Sequence, residues 1–250
     1  MSVIDVLYPT WNRREFTRFS LQMLLDNTDW GYVRRLVIHD DGSDDQEGTV
    51  KAVEKLLEER NPSVEVVFYK RKWSERFGSP PAVMNWYVDK HGDSDRFAKI
   101  DSDIVVPPGW LEALLGVVER MPELELLGME AGRMGPPGHN GNPWNWDRPT
   151  DGYSWEKAQH IGGVGLMKTE SFRVRPQMPA FAGRFGFTEW QHEYKPVRGW
   201  ITPDLLMAEL TRIPFEPWVS LSASYVERDW EREWPKYHEQ WDYWWSWWPK

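Results

Sequence analysis

A chain of 250 residues with a formal charge of -9 and no cysteine has no disulfides, zinc thiolates or thiol nucleophile. Its acidic balance and lack of a long basic run argue against a DNA- or RNA-binding protein, because such binding requires many phosphates to be neutralised. The sequence has no basic N-terminal start and no transmembrane-length apolar run, so we expect a cytoplasmic protein without a signal peptide or a transmembrane segment.

Predicted strands and helices alternate through the first 129 residues. Short apolar runs predict the strands, and apolar residues at helical spacing predict the helices. Asn12 and Glu15 have the spacing of a capping box at the start of the first helix. The predicted order is strand 3–8, a helix from Asn12, strand 34–39, helix 46–60, strand 64–69, helix 82–88, strand 96–100, helix 110–120 and strand 124–129. This alternation predicts an α/β fold with a mostly parallel sheet between two layers of helices.

The sequence after residue 129 is irregular. Residues 130–160 are rich in Gly, Pro, Asn and Trp without a period, so we expect a lid over a site or a partly disordered segment. Residues 161–168 predict a strand, TESF predicts the start of a short helix, and residues 188–198 predict an imperfect helix. The last 25 residues contain seven of the 18 tryptophans; we expect them to pack on the core, and the alternative is that they stack on a sugar, a peptide or a partner.

Three polar segments follow predicted strands: PTWNR, DDGSDD and DSD. Ligands of an open α/β sheet bind beyond the carboxyl ends of its strands, so these segments are expected to share one site. Asp101 and Asp103 can both face one point, and oxygen ligands suit Mg²⁺ or Mn²⁺. A D-x-D pair is also ordinary turn chemistry, so both interpretations stay open on these residues alone.

The same segments together resemble family 2 glycosyltransferases of the GT-A fold. PTWNRREF resembles the first-strand motif of the family, IHDDGSDD its VDDGS-type turn, GSPPAVMN its helix entry and DSD its D-x-D, all in family order. The resemblance implies a GT-A, Rossmann-like fold in a single domain over residues 1–225. Within it, residues 1–129 form the nucleotide-sugar-binding half and 130–225 the acceptor and catalytic half. Residues 226–250 are then a Trp-rich C-terminal extension.

The resemblance also implies roles for donor-binding residues. Pro9 and Thr10 shape the pocket for the base, and Asn12 and Arg13 belong to the same donor-binding motif. Asp41 accepts a hydrogen bond from the edge of the base. The alternative for the DDGS segment is a tight turn whose acidic residues cap the next helix.

The metal is Mn²⁺ or Mg²⁺ by the same resemblance. Asp103 ligates it directly, and Asp101 contacts the ribose or a metal-bound water. The cation stabilises the nucleoside diphosphate as it leaves. His192 is a candidate third ligand, because neutral imidazole suits Mn²⁺, although a lone histidine is more often a partly buried polar residue.

Two glutamates are candidates for the catalytic base. Glu189, in GRFGFTEWQHEY, matches the helix-start carboxylate of the family, but Trp190 stands where an acid usually follows. A second alignment places Gln191 and His192 on an acidic-His variant and makes Glu193 the candidate. Either glutamate can instead be an ordinary exposed side chain.

We therefore expect inverting transfer of a sugar from a nucleotide donor, most simply a UDP-sugar, to an acceptor hydroxyl. The acceptor is open between glycan, lipid, protein and modified base. A nucleotide-sugar-binding protein without turnover is one alternative, because Glu189-Trp190 is irregular. A nucleotidyltransferase is another, although PTWNRREF lacks the Gly- and basic-rich stretch expected after its first strand.

Overall fold

The computed structural model describes residues 3–44, 46, 48–78, 80–129, 131–132, 154–157, 161, 163–174, 207–212 and 218–220. The predicted alternation is present in its first half. The elements in order are β1 Ile4–Thr10, α1 Arg14–Asn27, β2 Val33–Asp40, α2 Thr49–Arg60, β3 Glu65–Lys70, α3 Pro80–His91, β4 Arg96–Ile100, β5 Ile104–Val105, α4 Trp110–Arg120, β6 Leu126–Met129, β7 Ala131–Gly132, β8 Ser154–Lys157, β9 Val164–Lys168, α5 Thr169–Arg173, β10 Met207–Arg212 and β11 Trp218–Ser220.

The described strands form an 8-stranded sheet in the order β3-β2-β1-β4-β9-β6-β10-β8 and a small sheet in the order β5-β11-β7. In the large sheet, β3, β2, β1 and β4 pair in parallel, β9 lies antiparallel between β4 and β6, and β8 is an antiparallel edge. The predicted mostly parallel α/β sheet is confirmed. The carboxyl ends of β1, β2, β3 and β4 therefore meet at one edge.

Period-2 alternation along the strands divides the core between the two faces of the sheet. Val6 and Tyr8 of β1 lie in the cluster that includes residues of α1, α2 and α4, whereas Leu7 lies in the cluster with α3 and α5. All three side chains are fully buried. Because both faces of β1 are covered, the loop that follows it starts from a rigid strand.

A buried carboxylate fixes the opposite end of β1. Asp5 is 0% exposed and accepts hydrogen bonds from Nε and Nη2 of Arg34, each 2.9 Å long, and from the hydroxyl of Tyr87. A buried charge requires such partners, because its desolvation costs several kcal/mol. This cluster braces the sheet far from the ends of the strands where the polar loops lie.

The predicted capping box at the start of α1 is wrong. The N-cap of α1 is Arg13 in the left-handed region, without a side-chain cap, and Asn12 is also left-handed with φ 51. Glu15 pairs with Arg18 at 3.1 Å within the helix. The local pattern is overridden because Asn12 bonds to a distant loop.

Residues 130–160, predicted to be a lid or a partly disordered segment, contribute two short described strands, β7 and β8. The predicted helix 188–198 and the extension 226–250 lie outside the described residues. Within the part of the chain that the structure describes, no helix combines the length and apolar character needed to cross a membrane.

Candidate functional site

A cavity of about 480 Å³ opens at the carboxyl edge of the sheet, a volume typical of a small-molecule site. Its walls come from the ends of β1, β2 and β4 and from the start of α3. Six predicted site residues line it: Pro9, Thr10, Arg13, Asp41, Asp101 and Asp103. The geometry thus brings residues of all three predicted polar segments to one cavity, and their roles in binding stay predictions.

Asn12, the remaining predicted residue of the first motif, ties two loops together. Its Oδ1 accepts from the backbone N–H of Asp44 at 2.8 Å, and its own N–H donates to Oγ of Ser43 at 2.7 Å. The backbone of Asp41 adds a third link by donating to the carbonyl of Thr10 at 2.9 Å. These bonds fix the loop after β1 against the loop after β2.

The DDGS segment is a tight turn. Asp40 is 1% exposed and accepts from the backbone N–H and the hydroxyl of Ser43, and burial raises the pKa of Asp40 while these bonds oppose the rise. Gly42 has φ 81, and a Cβ there would lie 3.0 Å from the carbonyl of Lys72. The turn thus requires glycine for both its conformation and its close packing.

Asp41 holds the loop that enters α3. Its Oδ1 accepts from the N–H of Phe77 at 2.7 Å and its Oδ2 from the N–H of Gly78 at 2.8 Å. The residue is only 7% exposed, yet it also lines the cavity. Asp41 therefore has a structural role that the sequence interpretation missed, and its contact with a base stays a prediction.

The two carboxylates of the DSD segment each face a basic side chain. Asp101 Oδ1 lies 2.5 Å from Nζ of Lys99, and Asp103 Oδ2 lies 3.5 Å from Nη1 of Arg13. Withdrawal from water raises the pKa of Asp101, and Lys99 opposes that rise. Arg13 and Asp103 are the predicted residues that bring the first and third motifs into direct contact.

The backbone of the DSD loop is anchored by residues that sequence reasoning did not single out. The hydroxyl of Tyr8 donates to the carbonyls of Thr17 and Ser102, at 3.1 and 3.4 Å. The hydroxyl of Ser20 donates to the carbonyl of Ile104 at 2.5 Å. The available signal was that the apolar periodicity of the strand places Tyr8, and that of the helix places Ser20, on a side that faces the core.

A second group that was missed lies at the mouth of the cavity. The guanidinium carbon of Arg76 lies 4.2 Å from the ring centroid of Trp11 and 4.7 Å from that of Trp73, within cation–π range. Trp11 and Trp73 are 41% and 58% exposed, and both Trp11 and Arg76 line the cavity. The available signal was that Trp11 directly follows β1 and that Trp73 and Arg76 lie in the segment between β3 and α3.

The chemistry of Asp101 and Asp103 fits a hard divalent cation. Such ions are bound through one or two carboxylates and complete their shells with water and substrate phosphates. No group of three or more His, Asp or Glu side chains suited to a metal occurs among the described residues, so this part of the chain offers no all-protein cage. The predicted His192, Glu189 and Glu193 lie outside the described residues.

Comparison with known proteins agrees with the fold. The model of the family described as Glycosyl transferase family 2 matches residues 5–137. This match covers more than half of the chain, and the chain belongs to glycosyl transferase family 2. No curated protein matches the chain significantly in sequence.

Solved structures similar to this chain include a crystal structure of S. aureus TarS 1-349, with a TM-score of 0.58 and 14% identity, covering 87% of this chain and 60% of that one. The same S. aureus protein solved with UDP-GlcNAc gives 0.57 and 14%, covering 90% and 62%. The mannosyltransferase PcManGT from Pyrobaculum calidifontis, solved with GDP-Man and Mn²⁺, gives 0.53 and 14%, covering 83% and 56%. These similarities show the GT-A fold, and this chain spans roughly 60% of the first of those chains.

Proposed function

We propose that this protein is a metal-dependent glycosyltransferase that moves a sugar from a nucleoside diphosphate to an acceptor hydroxyl. The observation that carries the proposal is the cavity at the carboxyl edge of the sheet, in which Asp41, Asp101, Asp103 and Arg13 converge. Membership of glycosyl transferase family 2 supports it. The sequence motifs and the cavity thus point to the same chemistry.

The donor is proposed to bind with its base at the Trp11 side of the cavity and its diphosphate near the basic side chains. An exposed Trp offers a flat apolar face for a base, and Pro9 and Thr10 form the adjoining wall. Arg13, beside Asp103, supplies positive charge at the diphosphate end in a chain whose formal charge is -9, whereas Arg76 lies against Trp11 at the base end. A locally positive site is required because the average field of the chain repels a diphosphate.

A uridine diphosphate sugar is the proposed donor. Similar solved structures were obtained with UDP-GlcNAc and with GDP-Man, so nucleoside diphosphate sugars are the common ligand class among them. Asp41 is proposed to accept a hydrogen bond from the base, in addition to those from Phe77 and Gly78, since each carboxylate oxygen has two acceptor sites.

Asp101 and Asp103 are proposed to hold Mn²⁺ or Mg²⁺, with His192 as a further candidate ligand. The cation would supply positive charge against the negative charge that develops on the departing diphosphate. The chain's own part is orientation: the carbonyls of Ser102 and Ile104 are fixed by Tyr8 and Ser20, so the two carboxylates are held in place before the ligand arrives.

The proposed transfer is a single displacement with inversion. The acceptor oxygen bonds to the anomeric carbon as the bond between that carbon and the phosphate oxygen breaks. The electron pair leaves with the nucleoside diphosphate, and a carboxylate takes the proton of the acceptor hydroxyl. Glu189 is the proposed base and Glu193 the alternative, both in the proposed acceptor half, residues 130–225.

The direct test is an assay of donor cleavage. Purified protein is incubated with Mn²⁺ and, one at a time, UDP-Glc, UDP-GlcNAc, UDP-Gal and GDP-Man, and release of the nucleoside diphosphate is measured. Asp103→Asn and Glu189→Gln should abolish release, and Asp44→Asn, in an exposed loop position, is the matched control. Tight binding without release would instead favour a binding protein, and pyrophosphate release from a nucleoside triphosphate and a sugar phosphate would favour a nucleotidyltransferase.

A further inference from the structure

Lys99 is a lysine inside the core of the sheet. It is 1% exposed, and it stands opposite Leu7 of β1 and Gly165 of β9, with strands on both sides. Lysine is almost never fully buried unless it is paired, because removing the ammonium from water costs several kcal/mol. The four other residues of β4 are buried as well, so the position has no route to bulk solvent along its own strand.

The ammonium of Lys99 is directed toward the cavity. Its Nζ lies 2.5 Å from Oδ1 of Asp101, whose side chain is 33% exposed. Asp101 lines the cavity, two residues beyond Lys99 and just past the end of β4. The pair therefore joins a charge buried in the sheet to a carboxylate at the floor of the proposed donor site.

The other oxygen of Asp101 has a different environment. A Cβ built on Gly163 would lie 3.1 Å from Oδ2 of Asp101, so the missing side chain of that glycine leaves this oxygen its space. The backbone N–H of Asp101 donates to the carbonyl of Gly163 at 3.0 Å, and its carbonyl accepts from the N–H of Ile104 at 3.0 Å. The main chain and one carboxylate oxygen are thus fixed, and the second oxygen lies beside a glycine.

Stability alone does not explain a lysine at this position. Replacing a buried ion pair with well-packed apolar residues is often neutral or stabilising, so a methionine would fill the strand at least as well. A buried charge pair is directional, however, and an apolar side chain is not. The arrangement thus provides orientation of the carboxylate.

We propose that Lys99 is a positioning residue of the donor site, which holds Oδ1 of Asp101 so that Oδ2 is presented to the donor or its cation. This inference rests on the proposed function and adds to it a residue outside the cavity wall. The two oxygens of Asp101 then have separate roles: Oδ1 pairs with Lys99, and Oδ2 contacts the donor or its cation. The proposal also predicts that Lys99 and Asp101 act as one unit in ligand binding.

The test is a double-mutant cycle on ligand binding. The binding of UDP and of GDP with Mn²⁺ is measured by calorimetry for the wild type, and the nucleotide that binds is then measured with Lys99→Met, Asp101→Asn and the double variant. Methionine keeps an unbranched apolar side chain out to Cε and lacks the ammonium group. A second cycle with Arg76→Met in place of Asp101→Asn is the control, because Arg76 lines the cavity but contacts Trp11 and Trp73 at its mouth. Thermal unfolding without ligand shows whether each variant is folded.

The proposal predicts that Lys99→Met and Asp101→Asn each weaken binding by about tenfold or more, and that the double variant is no weaker than Asp101→Asn. With Arg76→Met the two fold losses should multiply. Fold losses that multiply in both cycles, or wild-type affinity in a folded Lys99→Met protein, would overturn the positioning role. The proposed donor site would not be affected by either result. If the wild type binds neither UDP nor GDP with Mn²⁺, the proposed function itself is wrong, and the inference falls with it.

Discussion

Arg13 faces Asp103 across the cavity, with Nη1 of the arginine 3.5 Å from Oδ2 of the carboxylate. The two side chains are 28% and 17% exposed, so water screens their attraction only in part. The pair joins the loop after β1 to the loop after β4. The guanidinium of Arg13 therefore lies beside Asp103, a proposed metal ligand. An incoming diphosphate would compete with Asp103 for this guanidinium.

Replacing Arg13 tests this placement. Arg13→Met should weaken binding of UDP with Mn²⁺ by about tenfold and reduce its dependence on ionic strength, because one charge contact to the diphosphate is lost. Folding stability should change by less than about 1 kcal/mol, as for other partly exposed ion pairs. Arg14→Met is the control, since Arg14 is 53% exposed and pairs with Glu15. Equal affinity in Arg13→Met and the wild type would contradict the assignment.

Asp41 should matter for stability as well as for ligand binding. Asn has one acceptor oxygen in place of two, so Asp41→Asn leaves the N–H of Phe77 or of Gly78 without its partner. We expect a loss of about 1–3 kcal/mol in the free energy of unfolding, measured with urea. Asp44→Asn should change it by much less, because the hydrogen bond that Asp44 accepts from the N–H of Gln46 is exposed. An unchanged midpoint for Asp41→Asn would show that these two bonds contribute nothing.

His39 should make the protein sensitive to acid. The ring is fully buried among Tyr69, Phe77 and Trp86, and neither ring nitrogen has a hydrogen-bond partner among the described residues. Burial, and then the charge of Arg71, lower the pKa of His39 from 6.5 to about 4. In the unfolded chain His39 is therefore protonated below about pH 6.5, whereas in the folded chain it is protonated only near pH 4.

The direction in which stability changes with pH follows from this order of pKa values. The contribution of His39 to stability is complete above pH 6.5 and is lost as the pH falls toward 4, by roughly 3 kcal/mol. His39→Phe keeps the aromatic packing and removes the titration, so its free energy of unfolding should fall less between pH 7 and pH 4.5. Parallel pH profiles for the variant and the wild type would contradict the neutral, buried state of His39.

Gly163 should be needed for the shape of the DSD loop. A Cβ there would lie 2.7 Å from Cγ1 of Ile104 and 3.1 Å from Oδ2 of Asp101, too close for either neighbour to stay in place. Gly163→Ala should destabilise the protein by about 1–3 kcal/mol and weaken nucleotide binding. Gly116→Ala is the control, because nothing lies within 4 Å of that position and alanine favours the helix by about 1 kcal/mol. If both alanine variants bind UDP alike, the close packing of Gly163 against Ile104 and Asp101 is not needed for nucleotide binding.

The sequence predicted those parts of the fold that depend on local pattern. Apolar periodicity located β1 to β4 and the helices between them, and the rule for parallel sheets brought Asp41, Asp101 and Asp103 to one edge. The position of β9, antiparallel between β4 and β6, was not predicted. Strand order in a sheet depends on contacts between distant segments, and periodicity contains no information about them.

The errors at the site have the same physical origin. Asn12 matches a capping box locally, but its bonds to Ser43 and Asp44 span about thirty residues of sequence and prevail. Arg76 was overlooked because its two aromatic partners, Trp11 and Trp73, are brought together only by folding. In the sequence, Lys99 is only a charged residue within an apolar strand. Its role becomes visible from the distance between its ammonium and Asp101.

The proposed function requires that the DSD segment and a nucleoside diphosphate hold a divalent cation between them. The most direct measurement is anomalous scattering from manganese in crystals grown with UDP and Mn²⁺. We expect one manganese peak between the carboxylate of Asp103 and the diphosphate, with the base near Trp11. Ordered UDP in the cavity with no manganese beside Asp101 or Asp103, or those carboxylates turned away from the diphosphate, would contradict it.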